Sequence, residues 1–306
     1  MLHSIAQEHN FIFEQLETCF RRSKPIWMEG KRDSHAYHDL LESIRQLDIP
    51  SCMWMLESDQ GSQDYTITLY ELSKNVAEQD LGLAMEGLGG LVQEYALELS
   101  SGSLDSLFLT SVGVLSSGST PPKSQLGLAF SRNAGSLQIH KLQHGSQADL
   151  DLLGLEYTNL LLSESCGTKA IKEDKVATLA RYGRALLLGM LTGTLKRMLK
   201  EAMAYSRVRK SSGKAIFHHQ AISLRLGSIA MDYESLDLLA KQSFLVRDQP
   251  LQLKSFLAAL SHYAHGVCKE SVQVAGGHGY VDGLPLKRLY EESKGFVSFL
   301  ILVLEG

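Results

Sequence analysis

Apolar residues recur at helical spacing from His3 to about Glu98, lose that period, and regain it from Lys172 onward. In Ser34–Leu47 the residues Tyr37, Leu40, Leu41, Ile44 and Leu47 line one helical face, with Ser34 placed to cap it. Asp64–Glu78 repeats the pattern with Ile67, Tyr70, Leu72 and Val76. Ala84–Leu97 mixes alanine, methionine, leucine and glycine, as a helix pressed against others would. Between Leu99 and Ser165 short runs take over: Ser106–Val112, Leu126–Ser131, Ser136–Leu142 and Asp149–Tyr157, separated by turn-forming residues. These predict strands of a small β-domain. Beyond it, Ala185, Leu188, Leu191, Leu195, Met198, Ala202 and Tyr205 mark one face of a long helix. Breaks near Gly213, Gln249-Pro250 and Gly276–Pro285 delimit further helices. The expected fold class is α+β, mostly α: a helical domain at 1–98, a short middle β-domain at 99–165 and a four-helix bundle at 166–306.

A chain of 306 residues can bury real cores, and 44% apolar content is ordinary for a globular protein. The net charge of −4, with no basic run, argues against nucleic acid as a partner. Cys19, Cys52, Cys166 and Cys268 are scattered without metal-ligand spacing and read as buried thiols. The histidines His218, His219, His262, His265 and His278 form no ligand pattern with a carboxylate or thiolate, so no metal site is expected. Asp232, Glu234 and Asp237 read as a solvated helix face. The longest apolar run, Phe296–Leu304, is about half the ~20 residues a membrane helix needs. The N-terminus has no apolar signal core, so a cytoplasmic protein is expected, without membrane attachment.

Two segments carry candidate chemistry. Tyr205–Gln220 reads Y-S-R-V-R-K-S-S-G-K-A-I-F-H-H-Q: a helix end, a Gly-Lys turn, then a new helix opening on His219-Gln220. Ser271–Tyr280 reads S-V-Q-V-A-G-G-H-G-Y: an apolar helix carrying Gln273 and broken at Gly276 and Gly277. Taken alone, Arg209 is a cation at a helix C-terminus and the double glycine a helix stop. Each also suits a ligand: guanidinium offers fixed donors to phosphate, and glycine lets a backbone come close.

In this order and spacing, followed by R-L-Y-E-E-S-K at Arg288–Lys294, the two segments resemble the C-terminal domain of the flavin-dependent acyl-CoA dehydrogenases. The resemblance implies that Arg209, His219, Gln220, Gln273, Gly276 and Gly277 hold the pyrophosphate and adenosine of FAD bound mainly by a neighbouring subunit. It also implies an acyl-CoA substrate and α,β-desaturation of its thioester. The segments around Leu40–Pro50 and Glu57–Asp80 are similar to the helical wall of that family's acyl cavity.

The chain departs from the pattern in three places. The family's catalytic glutamate falls near Leu300, and the alternative position on the long helix is Gly183, so no catalytic base is identified. The β-domain is short, with no counterpart of the segments that grip the flavin ring. Ser212 stands where an aromatic residue usually precedes the Gly-Lys turn. The half-site serving a neighbour's FAD is thus better kept than the chain's own. The expected protein is one subunit of a homo- or hetero-oligomeric dehydrogenase in lipid or steroid catabolism; the alternative is a non-catalytic relative acting as a structural or regulatory partner. Leu188, Leu195, Met198, Leu253, Leu257 and Leu260 are expected to exceed what one bundle core hides and to feed the subunit interface.

Overall fold

The computed structural model describes residues 10–28, 31–47, 49, 65–88, 108–109, 114–117, 126–131, 136–148, 157–170, 173–244 and 250–305, and side chains are described outside 108–177 and a few further positions. Among the described residues four helices come first: α1 (Asn10–Arg22), α2 (Ser34–Arg45), α3 (Thr66–Gln79) and α4 (Leu81–Leu88). Between α1 and α2 lies a short antiparallel pair, β1 (Trp27–Met28) and β2 (Lys31–Arg32). The cap of α2 is Asp33, one residue before the expected Ser34. Its carboxylate accepts from the backbone N–H groups of His35 and Ala36.

The middle of the chain forms one antiparallel sheet in the order β3-β4-β7-β6-β5. Its strands are β3 (Phe108–Leu109), β4 (Val114–Ser117), β5 (Leu126–Ser131), β6 (Ser136–Ala148) and β7 (Tyr157–Ala170). The Leu126–Ser131 strand lies where its pattern placed it. The last strand does not: it begins at Tyr157, and most of Asp149–Tyr157 lies outside the described residues. The run T-N-L-L-L-S-E-S inside β7 lacks strict alternation, which hid a strand that pairs along most of its length with β6.

The described residues that follow are mostly helical: α5 (Glu173–Val208), α6 (Gln220–Ser243), α7 (Pro250–Ala275) and α8 (Pro285–Glu305). The 36 residues of α5 reach about 54 Å. Between Ala185 and Leu195 this helix is buried nearly all round, because α3 covers one side and α6, α7 and α8 the others. One continuous core runs from Ile12 and Leu16 through Tyr70 and Leu191 to Phe296 and Leu300.

That core corrects two expectations. Leu188, Leu195, Met198, Leu257 and Leu260 are buried within the chain itself, so they are not a free interface; the side chain of Leu253 lies outside the described residues. Asp237 is no solvated residue either. Its carboxylate accepts from Lys74 Nζ and from the Tyr70 hydroxyl (2.8 Å), both on α3, and pairs with Lys241 (2.9 Å). Periodicity cannot see this, because the partners come from a helix more than 150 residues earlier. Glu234 is exposed and Asp232 half-buried.

Close approach of α3 to α5 requires glycine. A Cβ at Gly189 would overlap Ser73 Oγ and the Tyr70 carbonyl, and one at Gly193 would overlap the Lys74 carbonyl. A second charged contact spans the same seam: Glu78 of α3 pairs with Lys196 (2.7 Å) and Lys200 of α5.

Gly193→Ala should therefore lower stability by about 1–3 kcal/mol, although alanine is the better helix former by about 1 kcal/mol. Gly183→Ala, where a Cβ meets nothing within 4 Å, should be neutral or stabilising by up to about 1 kcal/mol. Urea denaturation of the two variants measures the contrast.

Removing one partner of the buried pair strands the other. Asp237→Ala should cost about 3–5 kcal/mol by leaving Lys74 buried beside it. Burial alone would raise the Asp237 carboxyl, but hydrogen bonds from Lys74 and Lys241 hold it below its ordinary value. Burial likewise opposes, and Lys196 and Lys200 outweigh it, at Glu78. A depressed carboxyl stabilises fully above its unfolded pKa of about 4 and loses that contribution as pH falls through the folded value. Urea midpoints should thus fall below about pH 4, and more shallowly in Asp237→Asn than in the parent.

Candidate functional site

The helix α5 ends at Val208, and the chain turns back at once. Arg209 N–H donates to the Tyr205 carbonyl at 2.9 Å, prolonging the last helical turn, while the Arg209 carbonyl accepts from Ile216 N–H at 2.8 Å. Between them lies a two-residue hairpin of β8 (Lys210–Ser211) and β9 (Lys214–Ala215). Its central residues, Ser212 and Gly213, have φ of 50° and 78°. Positive φ at both positions matches the twist of a tight hairpin, so Gly213 is needed and Ser212 carries strain.

The hairpin is tied to the start of α6. His219 Nε2 lies 3.1 Å from the Ser211 carbonyl and donates to it. Lys214 Nζ donates to the His218 carbonyl at 3.2 Å, and Ser223 Oγ to the Phe217 carbonyl at 2.5 Å. His219 occupies the cap position of α6 without a side-chain capping bond, and Gln220 is the first residue of that helix. The N–H groups of the first turn therefore add partial positive charge beside the hairpin.

Electrostatically the feature is one-sided. Arg207, Arg209, Lys210 and Lys214 are all exposed, and among the described residues none pairs with a carboxylate. Arg207 lies 5.7 Å above the Phe217 ring. Four exposed cations beside a helix N-terminus are a combination whose charge would suit an anion.

Gln273 lies near the end of α7, exposed, its Oε1 accepting from the Tyr280 hydroxyl at 3.4 Å. That leaves its amide N–H₂ outward as a donor. Gly276 then takes φ of 58°, the left-handed turn that ends the helix, and a Cβ at Gly276 or Gly277 would meet only open space. Gly279 went unnoticed in the sequence and is the tightly packed one: a Cβ there would press on the Val272 carbonyl. The two segments meet through Tyr205 of α5 and His278, whose ring centroids lie 6.2 Å apart. So the structure groups Arg209, His219 and Gln220 on one element and Gln273, Gly276 and Gly277 on its neighbour. Val208, Tyr280 and Val281 fringe them as exposed apolar side chains.

The positions where a base was sought hold none. Leu300 is fully buried in an α8 that continues unbroken to Glu305. Gly183 is half-buried on α5. Of the nearby acids, Glu291 is exposed, while Glu292 is buried and accepts from Arg288 at 2.6 Å. The side chain of Glu305 lies outside the described residues.

A second cluster escaped the sequence. Arg288 stacks on the Trp27 ring, its guanidinium carbon 3.2 Å from the centroid, and lies 3.5 Å from Asp80. Trp27 Nε1 donates to Asp80 at 2.7 Å. A cavity of about 270 Å³ opens beside it, lined by Arg197, Glu201, Asp282, Lys287 and Glu291 among others. No motif could have signalled residues so distant along the chain. Among the described residues no three metal-type side chains gather, and no helix is long and apolar enough to cross a membrane.

A profile of the acyl-CoA dehydrogenase C-terminal domain matches residues 176–297, which contain both segments. Among curated relatives, a subunit of the caffeyl-CoA reductase-Etf complex of Acetobacterium woodii is 27% identical over 121 residues, 38% of this chain and 32% of the relative. The cyclohexane-1-carbonyl-CoA dehydrogenase of Geobacter metallireducens is 27% identical over 191 residues, 57% of this chain and 49% of that one. The match spans about a third of the length of the first curated relatives. Over almost the whole chain the fold is that of the butyryl-CoA dehydrogenase of Megasphaera elsdenii, with a TM-score of 0.66 at 15% identity, covering 99% of this chain and 98% of the other. The helical and sheet elements therefore follow one known plan, and the matched bundle carries its sequence signature. Residues 176–297 are thus similar to the C-terminal domain of the acyl-CoA dehydrogenases, and almost the whole chain shares the fold of those enzymes.

Proposed function

We propose that this chain is a flavoprotein subunit of the acyl-CoA dehydrogenase type, contributing the pyrophosphate and adenosine half of an FAD site shared with a neighbouring subunit. Members of the family are FAD-dependent oxidoreductases. The observation that supports the reading is the exposed cationic hairpin at the end of α5, the helix whose Tyr205 ring lies 6.2 Å from that of His278 just beyond the Gln273–Gly277 turn. Arg209 would take phosphate oxygens through its fixed donors, helped by the α6 N-terminus at Gln220. Gln273 offers a side-chain amide, and the open backbone at Gly276 and Gly277 leaves room for a ring or ribose. His219, held by the Ser211 carbonyl, keeps the hairpin on α6 and the cations in place.

Bound FAD supplies the hydride acceptor for α,β-desaturation of an acyl-CoA thioester, of lipid or steroid origin. The chain's own residues bind and orient at the far end of that cofactor. The base that must take the α-proton is not among them at the two expected positions. A second, unlike subunit is the source this reading requires, in a cytoplasmic setting. A second reading, a non-catalytic relative serving as a structural partner, is favoured by buried Leu300 alone.

Arg209→Ala in the purified assembly should weaken FAD retention about ten- to a hundredfold, because a charge-assisted phosphate contact contributes about 1.5–3 kcal/mol. Flavin absorbance retained through gel filtration, followed by titration with FAD, measures it. Unchanged affinity returns Arg209 to the role of a solvated helix end.

Purified without another subunit type, the chain should show little or no turnover of acyl-CoA substrates with an artificial electron acceptor. Robust turnover would shift the base to Glu291, Glu292 or Glu305. Absence of flavin with every partner tried would favour the non-catalytic reading.

A further inference from the structure

We propose that Ser212, at the tip of the hairpin between α5 and α6, is a phosphorylation site. It takes the γ-phosphoryl group of ATP from a serine kinase that selects basic substrates, and the phosphate then closes the hairpin to FAD. Among the described residues Ser212 is the one non-glycine residue with positive φ, at 50°. Glycine or asparagine occupies that backbone at lower cost than serine. The Ser212 hydroxyl is exposed and, among the described residues, makes no hydrogen bond, so it adds nothing to the fold. A strained residue whose side chain does nothing structural points to a function for that side chain.

The residues before it identify the class of enzyme. In R-V-R-K-S-S-G-K, Arg209 and Lys210 precede Ser212 by three and two positions, and Arg207 by five. Kinases select substrates by such charge patterns, with clefts of the opposite sign. Ser211 is less free, since it pairs with Lys214 across the hairpin and its carbonyl accepts from His219. Ser212 and Gly213 form the unpaired tip, and only two residue pairs close the hairpin behind them. So short a ladder is marginal by itself, and the tip can open into a cleft. In the transfer the Oγ–H proton passes to the kinase's base and an Oγ–P bond forms. The bond from the γ-phosphorus to the oxygen bridging the β-phosphate breaks, and ADP leaves.

The hairpin already holds the partners of the phosphate. Phosphoserine carries a charge of about −1.5 to −2 and three acceptor oxygens. Arg209, Lys210 and Lys214 lie within three residues of Ser212, exposed and without a carboxylate partner among the described residues. Charge-assisted bonds from these side chains order the phosphate on the hairpin that bears it. They are also the donors proposed for a pyrophosphate, so phosphoserine and bound FAD exclude each other. That control rests on the flavin reading; the modification itself does not.

The full chain, incubated with magnesium ATP and the catalytic subunit of cyclic-AMP-dependent protein kinase as the basic-substrate probe, should incorporate one phosphate. Mass spectrometry should locate it at Ser212. Ser212→Gly, which relieves the positive φ and so keeps the fold, should incorporate none. Phosphorus NMR should place the second ionisation of the phosphate below its ordinary value of about 6, and Lys214→Ala should move it back up. Stoichiometric modification should weaken FAD retention by the purified assembly about tenfold or more, whereas Ser212→Gly should leave it unchanged. No incorporation into the folded chain, phosphate on another serine, an ordinary ionisation or undiminished FAD retention would each overturn the proposal. If the unmodified assembly holds no FAD, the flavin reading and the control built on it both fall. Incorporation and the phosphorus titration then decide the Ser212 site by themselves.

Discussion

The backbones of α3 and α5 meet at Gly189 and Gly193, and that contact positions much of the molecule. Without side chains at these two points, α3 sinks far enough onto α5 for Lys74 and Tyr70 to reach Asp237 on α6. Glu78 meets Lys196 and Lys200 from the same depth. Charges that would be costly alone are thereby paired where water is scarce. Such pairs add little net stability compared with apolar packing, but they penalise any other register of the three helices. The fixed α5 then determines where its C-terminal end, and so Arg209, emerges.

The candidate site follows from how α5 and α7 stop. The long helix ends in a hairpin that needs positive φ at Ser212 and Gly213, and α7 ends on the left-handed Gly276. Both endings leave donors facing outward: a guanidinium, an amide and the first turn of α6. Neither supplies an acid. The same bundle that presents this half-site has filled the position expected of a base with Leu300, deep in its core. The donors proposed to bind an anion therefore have no proton acceptor at either position where one was expected.

Much of this architecture was legible in the chain. Helical period picked out α2, α3 and α5 within a few residues, and Leu126–Ser131 alternates with turns at both ends as its strand requires. The two motifs announced the helix ends at Val208 and Ala275, because glycine and lysine chemistry at a helix stop is local. The strand β7 was less visible, since its pairing with β6 lies in the partner rather than in its own pattern.

What the sequence by itself determined is therefore whatever depends on neighbours within a few residues: period, caps, turns, and which residue types a phosphate would meet. Only the tertiary structure decided which charges are buried and which leucines are spent. Asp237 looked solvated until α3 supplied Lys74, and Leu188 and Met198 looked available until α3, α6, α7 and α8 closed round α5. Apolar periodicity records that a face is buried but not by what. Leu224, Met231 and Leu238 were left exposed for the same reason: burial depends on elements brought together from across the chain, and no local pattern encodes them.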